Sequence, residues 1–283
     1  MKNQRVQAAG VSPAARALIL ACLTAGATAP VQAEKLEQAR VTKAVNVVNI
    51  LPGNSSPQPA KLGNIISAAT SLSTGDRSRA ELEFSDKSLV RLGSNSLFGF
   101  KSGEREIELK QGSLLLQVPK GRGDTKIKSL PITAAITGTT ILFECSPPVL
   151  DAKGKEDKPG VVKLIVMEGS LEWAFNSNPG KKLKMVAGDM VVFPANARAF
   201  PKKVKVDLGR IKNTSLLMDG GLGALPEVVR VDREIAAQQQ SIRDPNNPTS
   251  GFPIKDPKPS NTVDRSRAEP PADRVVIPPR PDR

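Results

Sequence analysis

Residues 74–96 read TGDRSRAELEFSDKSLVRLGSNS, and this stretch decides the fold. Ala80, Leu82 and Phe84 alternate with charged residues, and after a short polar break the alternation resumes at Val90. Alternation of this kind is typical of a half-buried strand, and two such runs around a short break predict a β-hairpin. The charged residues of the hairpin are predicted to form an ordinary solvent-facing polar face: Arg77, Arg79, Glu81, Glu83 and Arg91.

Short apolar runs separated by turn residues continue outward from this hairpin as far as Pro194. The segments QGSL at 111–114 and EGSL at 168–171 echo each other, and both are predicted to be hairpin turns, as is the Gly-Asp pair at 188–189. Residues 161–167 are almost continuously apolar, which predicts a central strand covered on both faces. Together these patterns predict an all-β fold, a sandwich or roll of short antiparallel hairpins.

The hydrophobic periodicity changes after residue 206. Asp207 is predicted to cap a helix that ends at Gly220, and Pro226 is predicted to open a second helix over 227–240. These short helices are expected to dock over a sheet edge of the β domain or on a partner. From residue 244 onward the chain is rich in Pro, Asp, Arg and Ser, which predicts a disordered Pro-rich tail.

The N-terminus has a basic start and an apolar run over 17–29, which is too short to span a bilayer as a mature helix. This pattern predicts a signal peptide cleaved after Ala33, with lipidation at Cys22 or an uncleaved anchor as the alternatives. The predicted segments are therefore a signal peptide (1–33), a β domain (34–206), a short helical segment (207–243) and the tail (244–283). We expect a bacterial periplasmic or secreted protein with no transmembrane span in the mature chain.

The chain is strongly basic, with a formal net charge of +13. Removal of residues 1–33 takes away three cations and no acid, which leaves +10. Outside the cytoplasmic membrane the expected partners are an envelope protein or an anionic wall or membrane polymer, and nucleic acid is not expected. The candidate residues for binding an anionic partner lie in basic turns, with a merely solvated face as the alternative: Lys181, Lys182, Lys184, Lys202, Lys203 and Lys205.

Histidine and tyrosine are absent, and aromatic residues make up only 3% of the chain. Without histidine, no Ser-His-Asp triad, Cys-His pair or imidazole metal site can be built, and few rings remain for stacking on sugars or single-stranded nucleic acid. The acidic residues do not cluster at the spacing of a calcium loop. We predict no catalytic, cofactor or metal site, and a buried, inert Cys145. The one enzyme hypothesis left is a carboxylate-dependent glycan enzyme, for which unpaired acids are present: Glu104, Glu106, Glu108, Glu144 and Glu172.

A series of ordered motifs resembles the FecR domain family over roughly residues 62–194. The motifs are GDRSRAEL at 75–82, DKSLVRLG at 86–93, GS at 112–113, GT at 138–139, VMEGSL at 166–171 and AGD at 187–189. The family often has glycine at the position of Lys87. Because lysine is unfavourable at positive φ, a different turn type is expected in this hairpin.

Family members of the best-known type are periplasmic sensors that relay the state of an outer-membrane transporter to a sigma factor. They carry a cytoplasmic helical region and a transmembrane helix ahead of the β domain, and this sequence departs from them on both counts. The first hypothesis is an exported non-catalytic β domain that acts as a binding or scaffold module of the cell envelope. The alternative is a regulatory or sensory subunit of a FecR-type system that works with a separate membrane partner.

Overall fold

The structure is a computed structural model, and it describes residues 35–53, 56–68, 70–101 and 103–243. The predicted signal peptide, the lipidation alternative at Cys22 and the predicted Pro-rich tail lie outside these residues. The described part of the chain contains nineteen strands and two helices. The predicted all-β class with short C-terminal helices is confirmed.

The strands and helices follow the chain in this order: β1 (Gln38–Val45), β2 (Val48–Pro52), β3 (Gln58–Pro59), β4 (Ile65–Ser67), β5 (Thr70–Thr74), β6 (Arg79–Phe84), β7 (Leu89–Leu92), β8 (Leu97–Lys101), β9 (Glu106–Gln117), β10 (Thr125–Ser129), β11 (Ile132–Ile136), β12 (Thr140–Cys145), β13 (Val149–Leu150), β14 (Glu156–Lys158), β15 (Val161–Glu168), β16 (Ser170–Phe175), β17 (Leu183–Val186), β18 (Asp189–Pro194), β19 (Val204–Lys205), α1 (Leu208–Thr214) and α2 (Val228–Arg243). Strands β13 and β14 form a small exposed hairpin of their own, in the connection between β12 and β15.

The other seventeen strands form two sheets that share the long strand β9. Sheet I has the order β4-β1-β6-β7-β9-β12-β15-β18-β19. Sheet II has the order β3-β2-β5-β8-β9-β10-β11-β16-β17. The sheets pack face to face around one apolar core, in which Phe84 of sheet I meets Phe100 of sheet II with ring centroids 5.1 Å apart. Trp173 of sheet II stacks on Phe193 of sheet I at 5.2 Å.

Three predicted hairpin turns are places where the chain passes from one sheet to the other. The QGSL segment lies inside β9, whose first half pairs with β8 and β10 in sheet II and whose second half pairs with β7 and β12 in sheet I. The EGSL segment joins β15 of sheet I to β16 of sheet II, and the Gly-Asp pair at 188–189 joins β17 of sheet II to β18 of sheet I. The hairpin predictions at these three positions are therefore wrong.

Glycine marks the crossings because the backbone must turn sharply there while the neighbouring strands stay close. At Gly112 φ is +95°, and an added Cβ would lie 2.4 Å from the Cα of Ser96. The side chain of Ser96 forms hydrogen bonds with backbone groups that the bend leaves unpaired in the strands. Its Oγ accepts from Ser113 N at 3.0 Å and donates to Gly93 O at 3.0 Å. A glycine stands at or beside six crossings: Gly75, Gly93, Gly112, Gly138, Gly169 and Gly188.

The β6–β7 hairpin is confirmed, but Lys87 keeps the positive φ that the expected change of turn type would have avoided. Phe84 O accepts from Lys87 N at 3.0 Å and Phe84 N donates to Ser88 O at 2.9 Å, so three residues form the loop. Lys87 has a φ of +68°, which is the left-handed conformation that glycine adopts most readily. The expectation that lysine would change the turn type is therefore wrong. Tertiary contacts enforce the turn, since Asp86 is buried and its carboxylate accepts from Ser88 N at 2.8 Å and from Arg105 Nη2 at 2.6 Å.

Replacing Lys87 by glycine is expected to stabilise the protein by about 0.5–1 kcal/mol, because the left-handed conformation penalises a side chain and the lost ion pair to Glu83 is exposed. The measurement is the free energy of unfolding in urea. The matched control is Lys87→Ala, which also removes the ion pair but keeps a Cβ at positive φ. Equal stability of the two variants would contradict the role of φ.

The prediction that residues 161–167 form a strand covered on both faces is confirmed. In β15, Leu164 and Val166 belong to the core between the sheets, whereas Ile165 and Met167 belong to a second apolar cluster on the outer face of sheet I. The second cluster is completed by residues 207–243, which we call the C-terminal strap. Val206 joins this cluster immediately before the strap, and the members in the strap are Leu208, Ile211, Leu217, Met218, Leu225 and Val231.

The strap contains both predicted helices. Asp207 caps α1 as predicted, with its carboxylate accepting from Arg210 N at 3.0 Å, but α1 ends at Thr214, well before Gly220. The helices cover a sheet face and not an edge, because they pack on Leu115, Leu142 and Ile165 in the middle of sheet I. Neither helix in the described residues is long and apolar enough to cross a membrane.

Candidate interaction site

The centre of the site is an ion pair between neighbouring strands of the opening hairpin. Strand pairing places Glu81 of β6 opposite Arg91 of β7, and Arg91 Nε donates to Glu81 Oε2 at 2.8 Å. The side chain of Arg91 is 0% exposed and that of Glu81 is 6% exposed. The predicted solvent-facing polar face is therefore wrong for these two residues, although Arg77 remains 89% exposed. The side chains of Glu81 and Arg91 point to the outer face of sheet I, where the C-terminal strap covers them.

Arg91 binds the strap through backbone carbonyls. Its Nη1 donates to the carbonyls of Leu217 at 3.0 Å and Met218 at 2.8 Å. Its Nη2 lies 2.7 Å from the carbonyl of Gly223 and 3.3 Å from those of the two residues on either side, Leu222 and Ala224. A guanidinium is suited to this task because its donors are fixed in one planar fork. We call this arrangement the Arg91 clamp.

Arg230 forms a second clamp in the opposite direction, from strap to sheet. Its Nη2 donates to Glu168 Oε2 at 2.6 Å and also to the carbonyl of Gly138, and Nη1 pairs with Glu227. Burial alone would lower the pKa of Arg230, but the pairing with Glu168 and Glu227 outweighs it and holds the pKa above the ordinary value. This Arg230 clamp fastens α2 to two of the crossings between the sheets, at Gly138 and next to Gly169.

The six predicted lysines come together at the end of the sandwich, where β17 and β19 lie. Lys203 Nζ is 3.1 Å from the carbonyl of Lys184, and Lys203 and Lys205 both pair with Asp189, at 3.3 and 2.9 Å. Lys182 pairs with Glu172 at 3.5 Å, and Lys181 Nζ lies 5.9 Å from the ring centroid of Phe200. We call this surface the lysine edge: Lys181, Lys182, Lys184, Lys202, Lys203 and Lys205.

Two members of the lysine edge have a structural task. Strand β17 ends sheet II, and side chains bind backbone groups within it and at the residue that follows it. The carbonyl of Lys184 accepts from Lys203, the carbonyl of Ala187 accepts from Lys205 at 3.3 Å, and Val186 N donates to Asp189 Oδ2 at 3.0 Å. Charged side chains at an edge strand prevent pairing with another strand.

Asp189 is the acid on which this edge depends. It is buried, and burial alone would raise its pKa, but donation from Val186 N and pairing with Lys205 and Lys203 outweigh burial and hold the pKa below the ordinary 3.8. A carboxyl with a lowered pKa stabilises the folded state above its unfolded pKa, and this stabilisation is lost as the pH falls through the folded pKa.

Replacing Asp189 by asparagine is therefore expected to destabilise the protein by about 1–3 kcal/mol at pH 7, because a charged acceptor of three hydrogen bonds is lost. The difference from the unmodified protein should shrink as the pH falls from the unfolded pKa of 3.8 through the lower pKa of the folded carboxyl, because the unfolded chain then takes up a proton more readily than the folded one. Urea unfolding at several pH values measures this, with Asp76→Asn at an exposed position as the control. A difference that does not change with pH would contradict the role of the charge.

The acids considered for a glycan enzyme do not form a facing pair of free carboxylates. Glu106 pairs with Lys101 at 2.9 Å, Glu144 with Lys163 at 3.1 Å and Glu172 with Lys182, whereas Glu104 and Glu108 are exposed. Within the described residues, no group of three or more acids or cysteines is placed to hold a metal ion. Cys145 is buried, as predicted.

Sequence patterns alone missed both clamps. Glu81 and Arg91 occupy the polar phase of alternating strands, and nothing local distinguishes them from solvent-facing charges. One signal was present: three glycines, Gly220, Gly221 and Gly223, stand close together in the strap, and all three have positive φ. A loop of this kind can turn several carbonyls towards one cation.

The fold and the clamps define a two-sheet β domain closed by a helical strap. The family model described as FecR protein matches residues 70–172, so this segment of the chain is of FecR type, as the ordered motifs predicted. The matched segment runs from β5 into β16 and contains Glu81, Arg91 and Glu168, whereas the strap follows it. It spans less than half of the 283 residues.

No curated protein matches the chain. Two crystal structures of a proposed anti-sigma factor from Parabacteroides distasonis ATCC 8503, at 1.65 and 2.50 Å resolution, are similar at 10% and 14% sequence identity, with TM-scores of 0.40 and 0.41. The similarity covers 50% and 52% of this chain and 62% and 64% of theirs. The chain thus spans less than two thirds of either structure.

Proposed function

We propose that this chain is a non-catalytic regulatory subunit of a FecR-type signalling system, exported from the cytoplasm and working with a separate membrane partner. The observation that carries the proposal is the FecR match over residues 70–172. Members of the best-known type in this family relay the state of an outer-membrane transporter to a sigma factor. A subunit of this kind acts by binding, so it requires an exposed contact surface.

The lysine edge is the contact surface that we propose for an acidic partner. Lys184 and Lys202 are exposed, whereas Lys203 and Lys205 are engaged by Asp189. The six lysines outnumber the two acids that pair with them, which leaves a positive potential over this end of the sandwich. Such a potential attracts an acidic surface from a distance, and salt screens the attraction.

A scaffold or binding module that recognises an anionic envelope polymer is the second candidate, and the formal charge of +13 favours it. Affinity capture of the protein from an envelope extract separates the two. Recovery of one membrane protein supports the regulatory subunit, and recovery of an anionic polymer alone supports the scaffold and contradicts the regulatory proposal.

Reversing the two exposed charges with Lys184→Glu and Lys202→Glu is expected to lower capture of the partner by about fivefold or more, because like charges then face the acidic surface. The matched control is Lys153→Glu with Lys155→Glu, two exposed lysines in the connection that carries β13 and β14. Capture of the unmodified protein should fall as salt is raised. If the lysine-edge variant and the control captured the partner equally, the edge would not be the contact surface.

A further inference from the structure

The outer face of sheet I binds the C-terminal strap through contacts that do not depend on the strap being part of the same chain. One group of contacts is the Arg91 clamp, which recognises backbone carbonyls and therefore no particular side chains. The other is the apolar patch formed by Leu89, Leu115, Leu142, Ile165, Met167 and Met190. An amphipathic helix with a carbonyl-presenting turn before it satisfies both groups.

The strap is held at its start and middle and is exposed elsewhere. In α2, Val231 is fully buried, but Val229 is 66% exposed and Ile242 is 44% exposed. Residues 239–243 are all exposed, so the last turn of α2 makes little contact with the sheet. The Arg230 clamp is therefore the main polar attachment of this helix to the sheet. Gln238 instead binds the carbonyl of Val206, the residue between β19 and the strap, at 2.7 Å.

The face under the strap is amphipathic. Lys43, Glu81 and Arg91 form a charged row beside the apolar patch, with Lys43 Nζ 3.3 Å from Glu81. If the strap leaves, water can bind the guanidinium and the carboxylate, and this offsets part of the lost hydrogen bonding. The apolar patch then remains as the part that a new ligand must cover.

We propose that the outer face of sheet I is a helix-docking surface, that the C-terminal strap occupies it in cis, and that an amphipathic helix of a partner protein, led by a glycine-containing turn, replaces the strap there. The strap is the template for the ligand, since it presents the carbonyls of 217–224 and then the apolar side of α2. This surface adjoins the lysine edge, since Met190 of the apolar patch pairs with Val204, the residue between Lys203 and Lys205. The proposal holds whether or not the lysine edge binds a partner.

The experiment uses the full chain and a fluorescent synthetic peptide of residues 207–243 as the helix probe. In the variant Arg230→Ala the chain's own strap is loosened, whereas the peptide keeps Arg230 and can pair with the vacant Glu168. We expect the peptide to bind this variant at least about tenfold more tightly than the unmodified protein, because the cis competitor is weakened. Arg233→Ala, an exposed position on the same helix, is the matched control and should bind the peptide like the unmodified protein.

A locked form provides the opposite test. Gln117 of β9 accepts from Glu227 N at 3.3 Å, so cysteines at these two positions, oxidised through a short dithiol linker, would hold the strap on the sheet. Peptide binding should vanish in the oxidised form and return after reduction. Equal binding to the loosened, unmodified and locked forms, or no binding to a folded Arg230→Ala variant, would overturn the proposal. If Arg230→Ala fails to fold, Glu227→Gln loosens the strap more mildly and takes its place.

Discussion

Replacing Arg91 by methionine is expected to lower the free energy of unfolding by about 3–5 kcal/mol, which would make it one of the most damaging single changes in the protein. The substitution leaves the buried carboxylate of Glu81 without its guanidinium partner. It also leaves carbonyls of the strap, from Leu217 to Ala224, without a donor. A buried acceptor that loses its partner loses far more free energy than an average hydrogen bond contributes.

Urea unfolding measures this effect, and Arg77→Met is the matched control, because Arg77 belongs to the same hairpin but is exposed. The control should change stability by no more than about 0.5 kcal/mol. The double variant with Glu81→Met should recover part of the loss, since it removes a buried carboxylate that has lost its guanidinium and keeps only Lys43, at 3.3 Å, as a cationic partner. A loss below about 1 kcal/mol in Arg91→Met would contradict the clamp as a stabilising contact.

Replacing Gly112 by alanine is the second change for which we expect a large effect, about 3 kcal/mol or more. The added Cβ would meet the Cα of Ser96 at 2.4 Å, and backbone cannot move aside as a flexible side chain can. The bend at Gly112 also lets β9 serve both sheets, so its distortion would affect strand pairing on each side.

Gly121 offers a matched control for this prediction. It also has positive φ, +77°, but an added Cβ there would meet nothing within 4 Å. Gly121→Ala should therefore cost only about 1 kcal/mol, which is the penalty of the backbone conformation alone. The difference between the two variants isolates the steric contact at the crossing, and equal losses would contradict it.

Hydrophobic patterning was sufficient to predict three parts of the fold. Alternation predicted the strands of the opening hairpin, a continuous apolar run predicted the doubly covered β15, and a change of periodicity predicted the second helix. Such patterning could not distinguish a hairpin turn from a crossing between sheets, because both interrupt the alternation with glycine and polar residues. The similar segments around Gly112 and Gly169 do occupy similar places in the fold, but both are crossings between the sheets. Which of the two occurs depends on long-range pairing, which no short window contains.

The sequence named the lysines of the lysine edge as candidate binding residues, and that role stays a prediction. The folded chain brings them near one another, because β17 and β19 end their sheets at the same end of the sandwich. Arg91 and Glu81 were predicted to face solvent, because a pattern of apolar and polar residues treats every charged residue as exposed. The segment that buries them begins more than a hundred residues later in the sequence, so only the folded chain brings the two together.

The strand order has a consequence for how the domain is assembled. In sheet I the order β6, β7, β9, β12, β15, β18 follows the chain, and in sheet II the same is true of β5, β8, β9, β10, β11, β16, β17. From β5 and β6 onward, each sheet adds its strands in the order of the chain, so both sheets extend in the same direction along the sequence. The C-terminal end of this series is closed to further strands, because Asp189, Lys203 and Lys205 bind backbone groups along the β17 edge and their charges oppose pairing with another strand.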